Sequence, residues 1–159
     1  MKSLAAIFDA AGCSKVRTYI QSGNVLFDAH AELAAKLPSL ASRAIAKQHG
    51  LEVSLQLRTH DELAAITRAN PFLEKGADHS RLLVMFLADK PPARSVTALD
   101  PDRSPPDEFV VRGREIYLHC PNGFGRSKLS NAWFDSKLGT VSTGRNWRTV
   151  LELLKLSSE

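Results

Sequence analysis

Between Gly50 and Thr59 the chain changes its hydrophobic period: Leu51, Val53, Leu55 and Leu57 alternate strictly with Glu52, Ser54, Gln56 and Arg58. A period of two puts the four apolar side chains on one face of an extended segment and predicts a half-buried strand. The flanks repeat differently. Upstream, Leu33, Leu37, Leu40, Ala41, Ala44 and Ile45 form a helical stripe up to Gly50, with Pro38 either kinking that helix or opening its main segment. Downstream, Thr59-His60-Asp61-Glu62 is a capping box, in which hydroxyl and carboxylate satisfy orphan amides at the start of a helix. That helix is expected to run to about Ala69 and to stop at Asn70-Pro71. A chain that interleaves both periods in this way folds as mixed α and β.

The remaining segments follow the same logic. Leu4, Ile7, Phe8 and Ala11 make a first helical stripe ended by Gly12. Val16–Gln21 alternates, and Ser22-Gly23-Asn24 turns the chain into Val25–Asp28, a hairpin. Arg81–Ala88 reads as a strand buried on both faces, and Leu99–Asp107, with Pro101, Pro105 and Pro106, as a linker. Phe109–Arg112 and Glu115–Cys120 form a second hairpin around Gly113, followed by helices over about 129–138 and 146–156.

The resulting order is αββαβ and then αβαββαα. Ferredoxin-like units are βαββαβ. The expectation is therefore an α+β protein of two ferredoxin-like halves, about 1–58 and 59–159, within one compact domain spanning 1–159. The first half lacks its opening strand and the second its closing strand. A missing opening strand would leave the strand at Val16–Gln21 or Val53–Leu57 as an open sheet edge, prone to self-association, and the codons upstream of Met1 are expected to encode that strand.

Composition narrows the function classes. With 43% hydrophobic and 24% charged residues the chain is globular. Two cysteines, Cys13 and Cys120, supply neither a disulfide framework nor a zinc site, and the reading is a reduced, cytoplasmic protein without metal or cofactor. The longest uncharged apolar run, Leu82–Ala88, is far shorter than the roughly 20 residues of a membrane span.

Charge is unevenly placed. Of the net +4, the segment Arg112–Arg148 carries +5, with Arg112, Arg114, Arg126, Lys128, Lys137, Arg145 and Arg148 against Glu115 and Asp135. Such a segment suits an anionic partner, a phosphorylated small molecule or a nucleic acid backbone, or is simply a solvated surface. Within it lies Pro121-Asn122-Gly123-Phe124-Gly125-Arg126-Ser127-Lys128, between a strand and a helix. Two glycines let amides turn inward, the helix start adds a positive dipole end, and Arg126 and Lys128 add charge. The spacing is not that of a P-loop, and Arg126-Ser127-Lys128 breaks the aromatic alternation of an RNA-recognition strand. The competing reading is a tight turn with Ser127 or Ser130 as helix cap. Tyr19, with Arg17 and Gln21, and Tyr117, with Glu115 and His119, mark two strand faces that are either open to a ligand or packed as a seam between halves. His119 and Cys120 are neighbours on a strand, so they point to opposite faces and do not cooperate. Asp107-Glu108 reads as a solvated strand entry.

Four blocks, Arg17–Phe27, Asn70–Phe72, Pro121–Gly139 and Thr143–Leu156, closely resemble the bacterial domain-of-unknown-function family 1697. The resemblance implies an α+β fold of two ferredoxin-like halves and no established activity. It marks Arg17, Tyr19, Gln21, Ser22, Gly23, Asn24, Asn122, Gly123, Gly125, Arg126, Lys128, Asn131, Arg145, Asn146 and Thr149 as the family's polar positions. Members usually begin with an apolar strand and a Gly-containing loop, whereas this sequence starts at the following helix. Three functions stay open: a binding module for an anion, an enzyme on a small anionic substrate, and a structural or partner-binding role.

Overall fold

The computed structural model describes residues 2–19 and 23–158, and they divide into two compact units, 1–57 with 156–159, and 58–155. The protein is α+β.

In the first unit, helix α1 (Lys2–Ala10) leads through Gly12, at φ +107°, into an antiparallel pair, β1 (Ser14–Tyr19) and β2 (Asn24–Asp28). Helix α2 (Ala31–His49) keeps Pro38 in its interior and closes on Gly50 at φ +67°. Apolar residues at helical spacing in α1 and α2 supply its core of Ile7, Phe8, Leu37, Ala41 and Ile45, and the Phe8 and Phe27 rings lie 5.2 Å apart. Leu55 and Leu57 pack against this core as the alternation requires. The expected strand over Leu51–Leu57 is nonetheless absent: the segment takes no regular secondary structure and enters no ladder, and Leu51 and Val53 are 60% and 42% exposed. Alternation decides which side chains turn inward, while a strand also needs a neighbouring backbone, and β1 and β2 pair with each other.

The second unit opens with α3 (His60–Arg68), whose capping box forms as read: Glu62 N donates to the Thr59 hydroxyl at 3.1 Å and Thr59 N to the Glu62 carboxylate at 2.9 Å. A 3-10 turn (His79–Arg81) precedes β3 (Leu82–Leu87), followed by α4 (Ala93–Thr97), β4 (Glu108–Arg112), β5 (Glu115–His119), α5 (Asn131–Leu138), β6 (Ser142–Asn146) and α6 (Trp147–Leu156). The strands form one antiparallel sheet in the order β4-β5-β3-β6. From β3 to β6 this is the βαββαβ succession of a ferredoxin-like unit. The closing strand, expected to be missing, is therefore present as β6. Its residues Ser-Thr-Gly-Arg-Asn show no apolar alternation because β6 is an edge strand, and the Leu83 side chain lies 3.4 Å from where a Cβ of Gly144 would stand.

Both faces of this sheet are covered. Leu82, Val84, Phe86 and Tyr117 meet Leu63, Ile66, Phe72, Trp147 and Val150, while Met85, Leu87, Ile116 and Leu118 meet Leu99, Leu129, Phe134 and Leu138. The continuous apolar run of β3 thus reads as a strand buried on each side.

Candidate functional site

The end of the second sheet where β3 begins and β5 finishes carries the basic glycine loop. Cys120 N donates to the Arg81 carbonyl at 2.9 Å, joining the residue after β5 to the residue before β3. Gly123, at φ +91°, turns the loop over this junction, and one Arg81 guanidinium nitrogen lies 3.0 Å from where its Cβ would be. The glycine is needed here for its left-handed backbone. Arg126 and Lys128 belong to the same loop and are exposed. The amides of Phe124, Gly125 and Arg126 donate to no acceptor among the described residues, nor does the Arg81 guanidinium. Asp78 lies within electrostatic reach of Arg81 and Arg148; its carboxyl is held below the usual range chiefly by the Ser80 amide at 3.0 Å, and the two arginines add to this.

The stretch after the glycines is tied down. Ser127 N donates to the Phe124 carbonyl at 3.2 Å, Lys128 N to the Ser104 hydroxyl at 3.0 Å and Leu129 N to the Ser127 hydroxyl at 3.1 Å. The Cys120 thiol donates to the Ser127 hydroxyl at 3.8 Å; burial pushes the thiol up to about 11, so it stays protonated at neutral pH. Ser130, not Ser127, caps α5, accepting from Trp133 N at 3.2 Å. The helix start is therefore occupied by its own cap, set apart from the glycines by Ser127–Ser130.

The other sequence-marked residues are distributed by structural roles. The Asn146 carboxamide oxygen accepts from Thr149 N at 2.9 Å and so caps α6, with Thr149 buried. Asn131 donates to the Ser142 hydroxyl at 2.8 Å, which in turn donates to Asp135 at 2.6 Å, tying α5 to β6. Arg145, half-buried, donates to the Gly144 carbonyl at 2.8 Å and the Thr143 hydroxyl at 3.0 Å, and burial lowers its pKa. Asn122 is exposed in the loop and Gly125 beside it likewise.

Arg17, Tyr19 and Asn24 belong to the first unit. Arg17 donates to the Leu156 carbonyl at 2.8 Å, and buried Asn24 donates to the Tyr19 carbonyl at 3.2 Å across the hairpin. Gln21 and Ser22 lie outside the described residues.

Tyr117 departs from both earlier expectations. Its face is closed by the second unit's own helices, and its hydroxyl donates to the Ile66 carbonyl at 2.7 Å in α3, so it is neither an open ligand face nor a seam residue. Burial, and then the nearby Glu115 charge, raise its pKa to about 12. A folded pKa above the ordinary value of about 10 stabilises fully below pH ~10 and is lost as pH rises toward 12. An ultraviolet titration is expected to show one of the two tyrosines ionising near pH 12, with the melting temperature falling from pH ~10 upward. Tyr117→Phe should cost about 1 kcal/mol and flatten that alkaline limb.

Asp107 also departs from the reading of a solvated strand entry: it is 9% exposed and its carboxylate accepts from the Ser104 hydroxyl at 2.8 Å, while exposed Glu108 pairs with Lys75 at 3.7 Å. Sequence reasoning missed Arg81 and Ser104, which meet the loop at Gly123 and Lys128 far along the chain, and read Asp107 as solvated although its partner Ser104 is three residues away. Proximity of Ser104 to the serine-capped loop had no local signature. Among the described residues no group of three or more His, Cys, Asp or Glu side chains is placed to hold a metal ion, and no helix is long and apolar enough to cross a membrane.

Fold and loop together define a small α+β protein whose second unit presents a basic glycine loop at one sheet end. The chain belongs to the family described as Protein of unknown function (DUF1697), whose model matches residues 1–117. That match takes in residues 1–57 of the first unit and the second as far as Tyr117, ending before the glycine loop. No curated protein and no solved structure matches the chain.

Proposed function

We propose that this protein is a binding module for an anionic ligand, a phosphate group carried by a small molecule or by a nucleic acid backbone, at loop 121–128. The observation that carries the reading is the Arg81 guanidinium lying over Gly123, next to three consecutive loop amides that no group among the described residues accepts from. Backbone N–H groups and guanidinium together match the acceptors of a phosphate, and Arg126 and Lys128 add long-range attraction. The charge also favours rapid capture of a polyanion.

The test is isothermal titration with inorganic phosphate, a nucleoside triphosphate and a single-stranded oligonucleotide at about 50 mM salt. Binding should weaken as salt is added, with a slope of roughly −0.7 per neutralised phosphate for the single strand. Arg126→Ala and Arg81→Ala should each weaken it about tenfold or more, the cost of one charge-assisted contact. No heat with any of the three probes, or affinity indifferent to salt and to both substitutions, would refute the reading.

A further inference from the structure

We infer that the Pro-containing stretch before β4 is the scaffold of the anion loop, acting through one buried hydroxyl–carboxylate pair, Ser104 and Asp107. The inference rests on the anion-binding reading of loop 121–128 and adds the residues that hold that loop in shape.

Ser104 and Asp107 are each 9% exposed, whereas Asp100–Arg103 and Pro105-Pro106 are exposed. The two residues are joined twice: Asp107 N donates to the Ser104 carbonyl at 2.8 Å and the Ser104 hydroxyl donates to the Asp107 carboxylate at 2.8 Å, and the Asp107 carboxylate also meets the Cys120 thiol. A hydroxyl has one hydrogen, so committing it to the carboxylate turns the oxygen's lone pairs outward, where Lys128 N donates to them at 3.0 Å. Three consecutive amides, Ser127, Lys128 and Leu129, thus have assigned acceptors, and only that of Lys128 comes from outside the segment 120–129. It joins the basic loop to a stretch 24 residues earlier. With 127–129 pinned, the Phe124–Arg126 amides and the Arg126 and Lys128 charges are presented from a fixed base. Without the pair, the Lys128 amide loses its acceptor and residues 127–129 their tie to the stretch before β4. Ser104 and Asp107 are positioning residues: they touch the loop, not the anion.

The experiment measures two things on full-length protein: affinity for inorganic phosphate and a single-stranded oligonucleotide, and amide hydrogen exchange at residues 124–129 compared with β3. Ser104→Ala and Asp107→Ala are expected to weaken binding about tenfold, as loss of a supporting partner does at sites built on positioned groups, and to speed exchange at Lys128 while β3 keeps its protection. Ser104→Thr, which keeps the hydroxyl, should restore both. Wild-type affinity in Ser104→Ala overturns the inference and leaves the anion reading standing. Unchanged Lys128 exchange in that variant overturns it as well, with or without binding. A wild type that binds neither probe overturns the anion reading and with it the effect on affinity, while the exchange comparison still decides whether the pair holds the loop.

Discussion

Replacing Arg58 by alanine is expected to lower the unfolding free energy by about 3–5 kcal/mol, the cost of removing one partner from a buried ion pair. The Arg58 and Glu115 side chains are 6% and 14% exposed and meet at 3.0 Å. The same guanidinium donates to the carbonyls of Leu87 at 3.0 Å and Arg114 at 3.1 Å, and lies 5.5 Å from the centre of the Phe86 ring. It therefore ties the start of the second unit to the end of β3 and to the β4–β5 turn. Burial draws its pKa below the ordinary arginine value, and the hydrogen bond it donates to Glu115 opposes that shift. Truncation strands the Glu115 carboxylate in a place water reaches poorly and takes one donor each from the Leu87 and Arg114 carbonyls. Arg58→Met combined with Glu115→Leu should recover most of the loss, since a well-packed apolar pair is often as stable as the ionic one. Urea unfolding followed by tryptophan fluorescence reads both variants. A loss below about 1 kcal/mol for Arg58→Ala would mean that the pair behaves as a surface contact.

Phe72→Ala should be comparably severe, about 3–5 kcal/mol. Phe72 is 1% exposed in the core between α3, α6 and the sheet, and its ring centre lies 5.6 Å from that of His119. Its place is set locally: Phe72 N donates to the Asn70 side chain at 3.0 Å, in an Asx turn that reverses the chain after α3. Removing the ring leaves a cavity that a fixed turn does not let the chain fill. Phe72→Leu keeps part of the volume and should cost less than about 1.5 kcal/mol if the core repacks. Thermal unfolding of both variants decides the matter; equal losses for alanine and leucine would show that ring geometry, not volume, carries the contribution.

The Asn70-Pro71-Phe72 block shows how sequence legibility divides. As a stop signal after α3 it was readable, because Asn-Pro acts on the backbone immediately around it. That Phe72 plugs a core was not, since its partners His119 and Trp147 stand far along the chain. The candidate site divides the same way. Gly123, Gly125, Arg126 and Lys128 were legible as a cluster because they fall within one short loop. Arg81, the cation that meets Gly123, was hidden at the end of a 3-10 turn. Asn131 and Asn146, marked beside them, serve instead as a tie to Ser142 and as the cap of α6.

What the sequence determined by itself was everything fixed by interactions within a few residues. The Thr59–Glu62 capping box, the α2 stripe ending at Gly50, the Gly113 hairpin and the inward faces of Leu55 and Leu57 all follow from local hydrogen bonding and side-chain period. Tertiary structure alone decided which segments became strands. Leu51–Leu57 has the stronger alternation yet no ladder, whereas Ser142–Asn146 has none and pairs along β3. The physical reason is that a strand is stabilised by backbone hydrogen bonds to a neighbour chosen by the whole chain. Side-chain period states only which face is apolar once that neighbour exists.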